Sequence, residues 1–282
     1  DMSMNKLDHA KRVQIINLLV EGNSMRATAR IADVAFNTVA KLFIDTARMC
    51  AEYQDQTFRN LTCKKLQLDE IWSFVYAKAK NVPDEKRGQA GDVWTWVAID
   101  ADSKLVPSWR IGNRDAGTAC EFVDDLAGRL ANRVQITADG HKPYLVAIEG
   151  AFGADVDFAQ LIKLYGDTVE GQKRYSPAAC VGAKKSVVTG NPDMCCVSTS
   201  YVERQNLTMR MSIRRFTRLT NAFSKKIENH ALSVALHYMH YNFCRIHKTL
   251  RVTPAMAAGV SDHVWTINEI VALVEQAEAI SK

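Results

Sequence analysis

No stretch of the 282-residue chain approaches the roughly 20 apolar residues that a membrane-spanning helix needs. None of the seven cysteines stands in a C-x-x-C pair: Cys50, Cys63, Cys120, Cys180, Cys195, Cys196 and Cys244 are scattered, and their number is odd. That pattern argues against a disulfide framework and a zinc ribbon, and leaves free thiols in a reducing compartment as the simplest account. The first residues carry no apolar signal-peptide core, so the chain is expected to stay in the cytoplasm where it is made. What is present is ordinary for a globular protein: 47% hydrophobic and 24% charged residues, in a length that holds one large or two smaller domains.

The net charge of +5 is mild, so where the charge sits matters more than its size. The stretch Tyr201-Val202-Glu203-Arg204-Gln205-Asn206-Leu207 puts one carboxylate at the head of a basic run: Arg210, Arg214, Arg215, Arg218, Lys225 and Lys226. A carboxylate there makes sense if it holds a divalent cation while the cations beside it hold phosphates. An exposed amphipathic helix with a solvated Glu is the plain alternative.

The chain opens with helical signals. Val13, Ile16, Leu19 and Val20 repeat at helical spacing and Gly22 stops them. Ser24 caps a short second helix carrying Ala27, Ala29 and Ile31, and Asn37-Thr38 is the expected cap of a third, with Val39, Leu42, Phe43 and Ala47 on one face. Small packing residues around a tight Asp33-Val34 connection fit a helix-turn-helix, and equally fit any small helical bundle. In the first case Asn37, Thr38 and Lys41 are the DNA-facing residues.

From Lys65 the pattern changes to strands. Leu66 to Val75, with Asp69 inside it, Val93 to Ile99, and Leu105 to Ile111 form an antiparallel meander. A helix follows from Ala116 to Leu130, then a buried strand, Val134 to Ala138, that ends at Asp139-Gly140-His141. A helix over 144–152 and a fifth strand over 158–165 complete a mixed α/β sheet with helices on its faces. Residues 166–198 look like an insertion loop. The Glu203 helix, a long helix over 224–247 and a final helix over 267–279 end the chain.

A carboxylate inside an apolar strand is costly unless it is paired, faces a cleft or binds metal. Asp69 is such a residue, and Asp139 sits past the end of a strand, a common place for a site. The first and fourth strands are expected to be neighbours, which brings these two acids together; the Glu203 helix supplies the third. Three oxygen donors suit Mg²⁺, and two such ions about 4 Å apart serve phosphodiester cleavage and strand transfer.

Three blocks, Leu68-Asp69-Glu70-Ile71-Trp72-Ser73-Phe74, Thr137-Ala138-Asp139-Gly140-His141 and Tyr201 to Leu207, resemble the catalytic blocks of DDE transposases of bacterial insertion sequences. The run Tyr241 to Leu250 with Thr253-Pro254-Ala255 is similar to the tail of that family, and the match spans about 66–260. The resemblance implies an RNase H-like fold, five-stranded on the count above, behind an all-α helix-turn-helix domain. It implies Asp69, Asp139 and Glu203 as catalytic and metal ligands for Mg²⁺ or Mn²⁺, two ions by expectation. It implies double-stranded DNA as partner, as terminal inverted repeats and target, no membrane, and action as a homo-oligomer, a dimer foremost, at the bacterial nucleoid. The expected divisions are 1–62 for end binding and linker, 63–260 for catalysis and 261–282 for a terminal helix. His141, Arg204, Arg210, Arg214, Arg218, His247 and Lys248 join the DNA-facing set.

Several residues compete for these roles. Glu149 rivals Glu203 as third acid, but lacks the basic neighbours. Glu70 should alternate to the opposite sheet face and stay out of the cluster. Asp100 and Asp102 are expected in a turn, and His141 can be a plain loop histidine. His237, His240, Cys244 and His247 share a helical face, yet four ligands on one straight helix do not close a tetrahedron around zinc. Trp72, Trp94 and Trp96 belong in the core rather than under DNA bases. The rival functions are a transposase-derived DNA-binding protein without catalysis and a metal-dependent nuclease.

Overall fold

Two apolar strands placed side by side carry the acids. In the computed structural model, which describes residues 7–166, 180–217 and 221–280, β1 (Lys65–Val75) pairs in parallel with β4 (Val134–Asp139), Leu66 opposite Ile136 and Leu68 opposite Ala138. The expected adjacency of first and fourth strands therefore holds. β2 (Gly91–Asp100) and β3 (Ser108–Gly112) continue the sheet on one side, and β5 (Val156–Tyr165) continues it on the other. The sheet has six strands, not five, in the order β3-β2-β1-β4-β5-β6.

The sixth strand, β6 (Cys180–Thr189), lies inside the stretch expected to be a loop and runs antiparallel to β5. Its side chains are mostly exposed, so it has no apolar period to reveal it. Backbone pairing to β5 makes it a strand. Lys184 and Lys185 suit an edge, where charge discourages pairing with another chain. Residues 167–179 of the expected loop lie outside the described residues.

The chain divides into two units. One comprises Asn60–Ile71 and Trp94–Arg204. Its core sets Leu66, Leu68, Trp96, Ile136, Ala138 and Phe158 from the strands against Phe122 of α4 (Ala116–Ala127) and Tyr144 of α5 (Pro143–Phe152). The Asp115 carboxylate accepts from the Thr118 amide and so starts α4. Asp100, the last residue of β2, closes the expected turn, its carboxylate accepting from the Ser103 amide and hydroxyl.

The other unit comprises 1–59, Trp72–Val93 and 205–282. Three helices open it: α1 (His9–Val20), α2 (Met25–Ala32) and α3 (Phe36–Thr57). Ser24 caps α2 by accepting from the Ala27 amide, as its position predicts. Asn37 and Thr38 do not cap α3. They stand inside its first turn, the cap position is Ala35 with no side-chain bond, and the Thr38 amide bonds the Ala35 carbonyl instead. α3 packs against α7 (Ile227–Met239) and α9 (Ile267–Ile280). The buried Gln54 amide donates to the Ala235 carbonyl, and Tyr53, Phe58, Phe243 and Trp265 form an aromatic cluster. The helix expected over 224–247 is shorter: α7 ends at Met239 and a π-helical turn, His240–Cys244, follows. His237 is buried in this unit, and Arg12 of α1 bonds Glu278 of α9.

Candidate metal centre

The register sets the site. Leu68 pairs with Ala138, so Asp69 and Asp139 follow at the same level on adjacent parallel strands and share a face. Asp139 pairs in turn with Leu161 of β5, which puts Lys163, two residues on, on that same face. Gly140 lets the strand end lie close to β5: a Cβ there would stand 3.2 Å from Ile162 Cγ1. The Asp139 carboxylate accepts from the His141 amide at 3.0 Å.

Asp69, Glu70 and Asp139 each offer a carboxylate oxygen within 4.8 Å of the others. Glu70 thus corrects the alternation argument. It stands past the last residue of β4, and its buried carboxylate is gathered in by two groups from elsewhere in the unit. Arg114 donates through Nε at 2.7 Å and lies within 2.6 Å through a second nitrogen; the Tyr144 hydroxyl donates at 3.0 Å. Arg114 also stacks over the Trp94 ring at 4.8 Å.

The electrostatics follow from this crowding. Burial pushes the Asp69 carboxyl up from 3.8 to about 7, helped by the charges of Glu70, Asp139 and Glu203 and opposed by a hydrogen bond from the Glu70 amide. Glu70 is raised by burial and by Asp139, against the pull of Arg114 and Tyr144. A divalent cation relieves such crowding, and hard oxygen donors are what Mg²⁺ and Mn²⁺ take, so the residues fit the ion that the sequence implied.

Glu203 is on α6 (Ser200–Ser212) and is not one of the three acids within 4.8 Å, although its charge contributes to the rise at Asp69. Its Oε1 accepts from the Lys163 ammonium at 2.6 Å and from the Thr199 hydroxyl. The helix is fixed from β1: the Gln67 side-chain oxygen accepts from the Tyr201 amide at 2.8 Å and the Val202 amide at 3.1 Å, two groups with no partner inside a helix's first turn. The strand that carries Asp69 therefore sets where the Glu203 helix begins. Glu149 is exposed on α5, outside the acidic group.

The DNA-facing candidates lie in separate places. In the sheet unit, Arg204 is exposed, while the His141 ring packs on Trp96 and Tyr144 with Nε2 enclosed and without a partner. In the helical unit Asn37, Lys41, Arg214 and Lys248 are exposed, and Thr38, Arg210 and His247 are half-buried. Lys41 pairs with Asp45 at 2.6 Å. Arg218 lies outside the described residues. Sequence reasoning missed Glu70, Lys163, Arg114, Tyr144 and Gln67. Only Glu70 left a signal, the same charge in an apolar strand that marked Asp69.

Solved structures that overlap the chain include two transposase complexes. The piggyBac transposase synaptic complex with hairpin DNA matches at TM-score 0.40 and 11% identity, over 95% of this chain and 70% of that one. The Mos1 Strand Transfer Complex matches at TM-score 0.25 and 12% identity, over 84% of this chain and 78% of that one. No family model and no curated protein matches. Scores below 0.5 do not establish a common fold, so the functional reading rests on the site.

Proposed function

We propose that the chain is a DNA transposase of the DDE type, with an RNase H-like catalytic part, that cleaves element ends and joins them to target DNA. The observation that carries the reading is the convergence of Asp69 and Glu70, mid-way along β1, with Asp139 at the end of the parallel β4, and with Glu203 held on α6. A bound Mg²⁺ or Mn²⁺ supplies Lewis-acid polarisation of a phosphodiester and lowers the pKa of water there. The protein's own part is to present oxygens. Asp69 and Asp139 do so from rigid strands, Arg114 and Tyr144 hold Glu70 in place, and Gln67 fixes the start of the Glu203 helix.

In this reading Arg204, Arg210, Arg214, Arg218, His247 and Lys248 hold backbone phosphates, a role that salt weakens. Asn37, Thr38 and Lys41 belong to a helix-turn-helix that reads the inverted repeats. The working divisions are 1–62, 63–260 and 261–282, two ions act together, and a dimer brings two ends together. The test is Asp139→Asn in a supercoiled-plasmid assay with end-bearing DNA and Mg²⁺. Cleavage is lost and end binding persists; cleavage at the wild-type rate rejects the site. A pure DNA-binding protein gives no metal-dependent product with the wild-type chain, and a plain nuclease cuts without regard to the ends.

A further inference from the structure

Lys163 is a basic side chain on one of the site's acids, Glu203, with no role assigned above. It projects from β5 on the face of Asp139, opposite the small Ala183 of β6. Its ammonium lies 2.6 Å from Glu203 Oε1, and neither side chain is deeply buried, at 34% and 39% exposure. Burial pulls the Lys163 ammonium down, but the hydrogen bond to Glu203 and then the charges of Glu203, Tyr165 and Asp69 raise it above its ordinary value. Among the described residues, Arg114 is fixed on the buried Glu70 and Lys163 lies on the more accessible Glu203.

We propose that Lys163 stands in for a second cation at Glu203, so that the chain alone loads one divalent ion and takes up another only when DNA draws the ammonium away. This rests on the metal-centre reading above. The chemistry is competition. An ammonium on Glu203 Oε1 and a divalent ion on the same carboxylate stand close enough to repel strongly, whichever oxygen the ion takes. A partly exposed ion pair is weak enough to be displaced. The released ammonium suits a non-bridging phosphate oxygen, so the DNA backbone is what favours the exchange. Loading of the second ion is thereby tied to the presence of substrate.

The test counts Mn²⁺ bound to the full chain by electron paramagnetic resonance, with and without a duplex oligonucleotide carrying an element end. Wild type binds one ion alone and two with DNA. Lys163→Met binds the second ion without DNA, at least ~10-fold more tightly than wild type does. Lys163→Arg keeps the charge and behaves as wild type, which separates loss of the cation from loss of structure. Equal Mn²⁺ stoichiometry and affinity in wild type and Lys163→Met without DNA overturns the proposal. Mn²⁺ binding by wild type that Asp139→Asn does not weaken overturns the metal centre instead.

Discussion

Replacing Asp69 by Asn is expected to make the metal-free protein more stable. Folding confines this carboxyl beside Glu70 and Asp139 and moves its pKa from 3.8 to about 7. A carboxyl raised in the folded state binds its proton more tightly there than in the unfolded chain. Stability therefore falls as pH climbs from about 4 through about 7, and the whole loss is present above that. At ~1.4 kcal/mol for each pH unit the gap corresponds to about 4 kcal/mol. Asn keeps the shape and removes the charge, so about 2–4 kcal/mol should return at pH 8 in EDTA, several degrees in Tm for a chain of this size. The assay is urea unfolding of wild type and Asp69→Asn at pH 8 and pH 4.5, the variant's advantage shrinking at the lower value. Mn²⁺ should stabilise the wild type by mass action and the variant far less. A variant no more stable than wild type at pH 8, with a flat difference across pH, would refute the account of the site as crowded, desolvated acid.

Arg114→Ala leaves Glu70, 1% exposed in its side chain, with the Tyr144 hydroxyl and without its guanidinium. A loss of about 2–4 kcal/mol at pH 8, largely recovered by adding Glu70→Gln, is expected in chemical denaturation. Gln67→Leu strips two amides at the start of α6 of their acceptor and should cost about 1–3 kcal/mol. Its cleavage should need more Mg²⁺ for half-maximal rate, with DNA-end affinity unchanged, and Gln67→Glu should restore both. His230 is buried against Phe216 with its Nε2 on the Ser73 hydroxyl; burial, then the charge of Arg215, push its pKa down to about 4 from 6.5. The unfolded chain takes that proton first, so stability present above pH 6.5 drains as pH falls towards 4, by up to about 3 kcal/mol. His230→Leu should flatten that limb of a pH-stability curve, because Ser73 can still donate to the Val93 carbonyl.

Much of this architecture is legible in the sequence. Helical spacing located α1 and α4, Ser24 announced its cap, and charge inside an apolar strand singled out Asp69. Those are local signals, written within a few residues. Other features had none. The third helix needs no cap from Asn37 because the Ala35 carbonyl already accepts from Thr38. β6 is a strand only because β5 offers it a backbone edge, and exposed side chains left no period to read. Alternation sent Glu70 away from the cluster; the end of β4 and the reach of Arg114 and Tyr144 brought it back.

The sequence alone determined which side chains are acidic, where along the strands they fall, and that Asp69 and Asp139 carry charge at places where apolar neighbours make charge expensive. The tertiary structure decided their company: a fourth carboxylate beside two of them, an ammonium on Glu203, and a glutamine that ties the Glu203 helix to the Asp69 strand. The division has a physical cause. Propensity and burial act through neighbours in the chain, whereas an ion pair or a side-chain cap joins residues 40 to 134 positions apart, and only the register of strands and the start of a helix bring such partners within bonding distance.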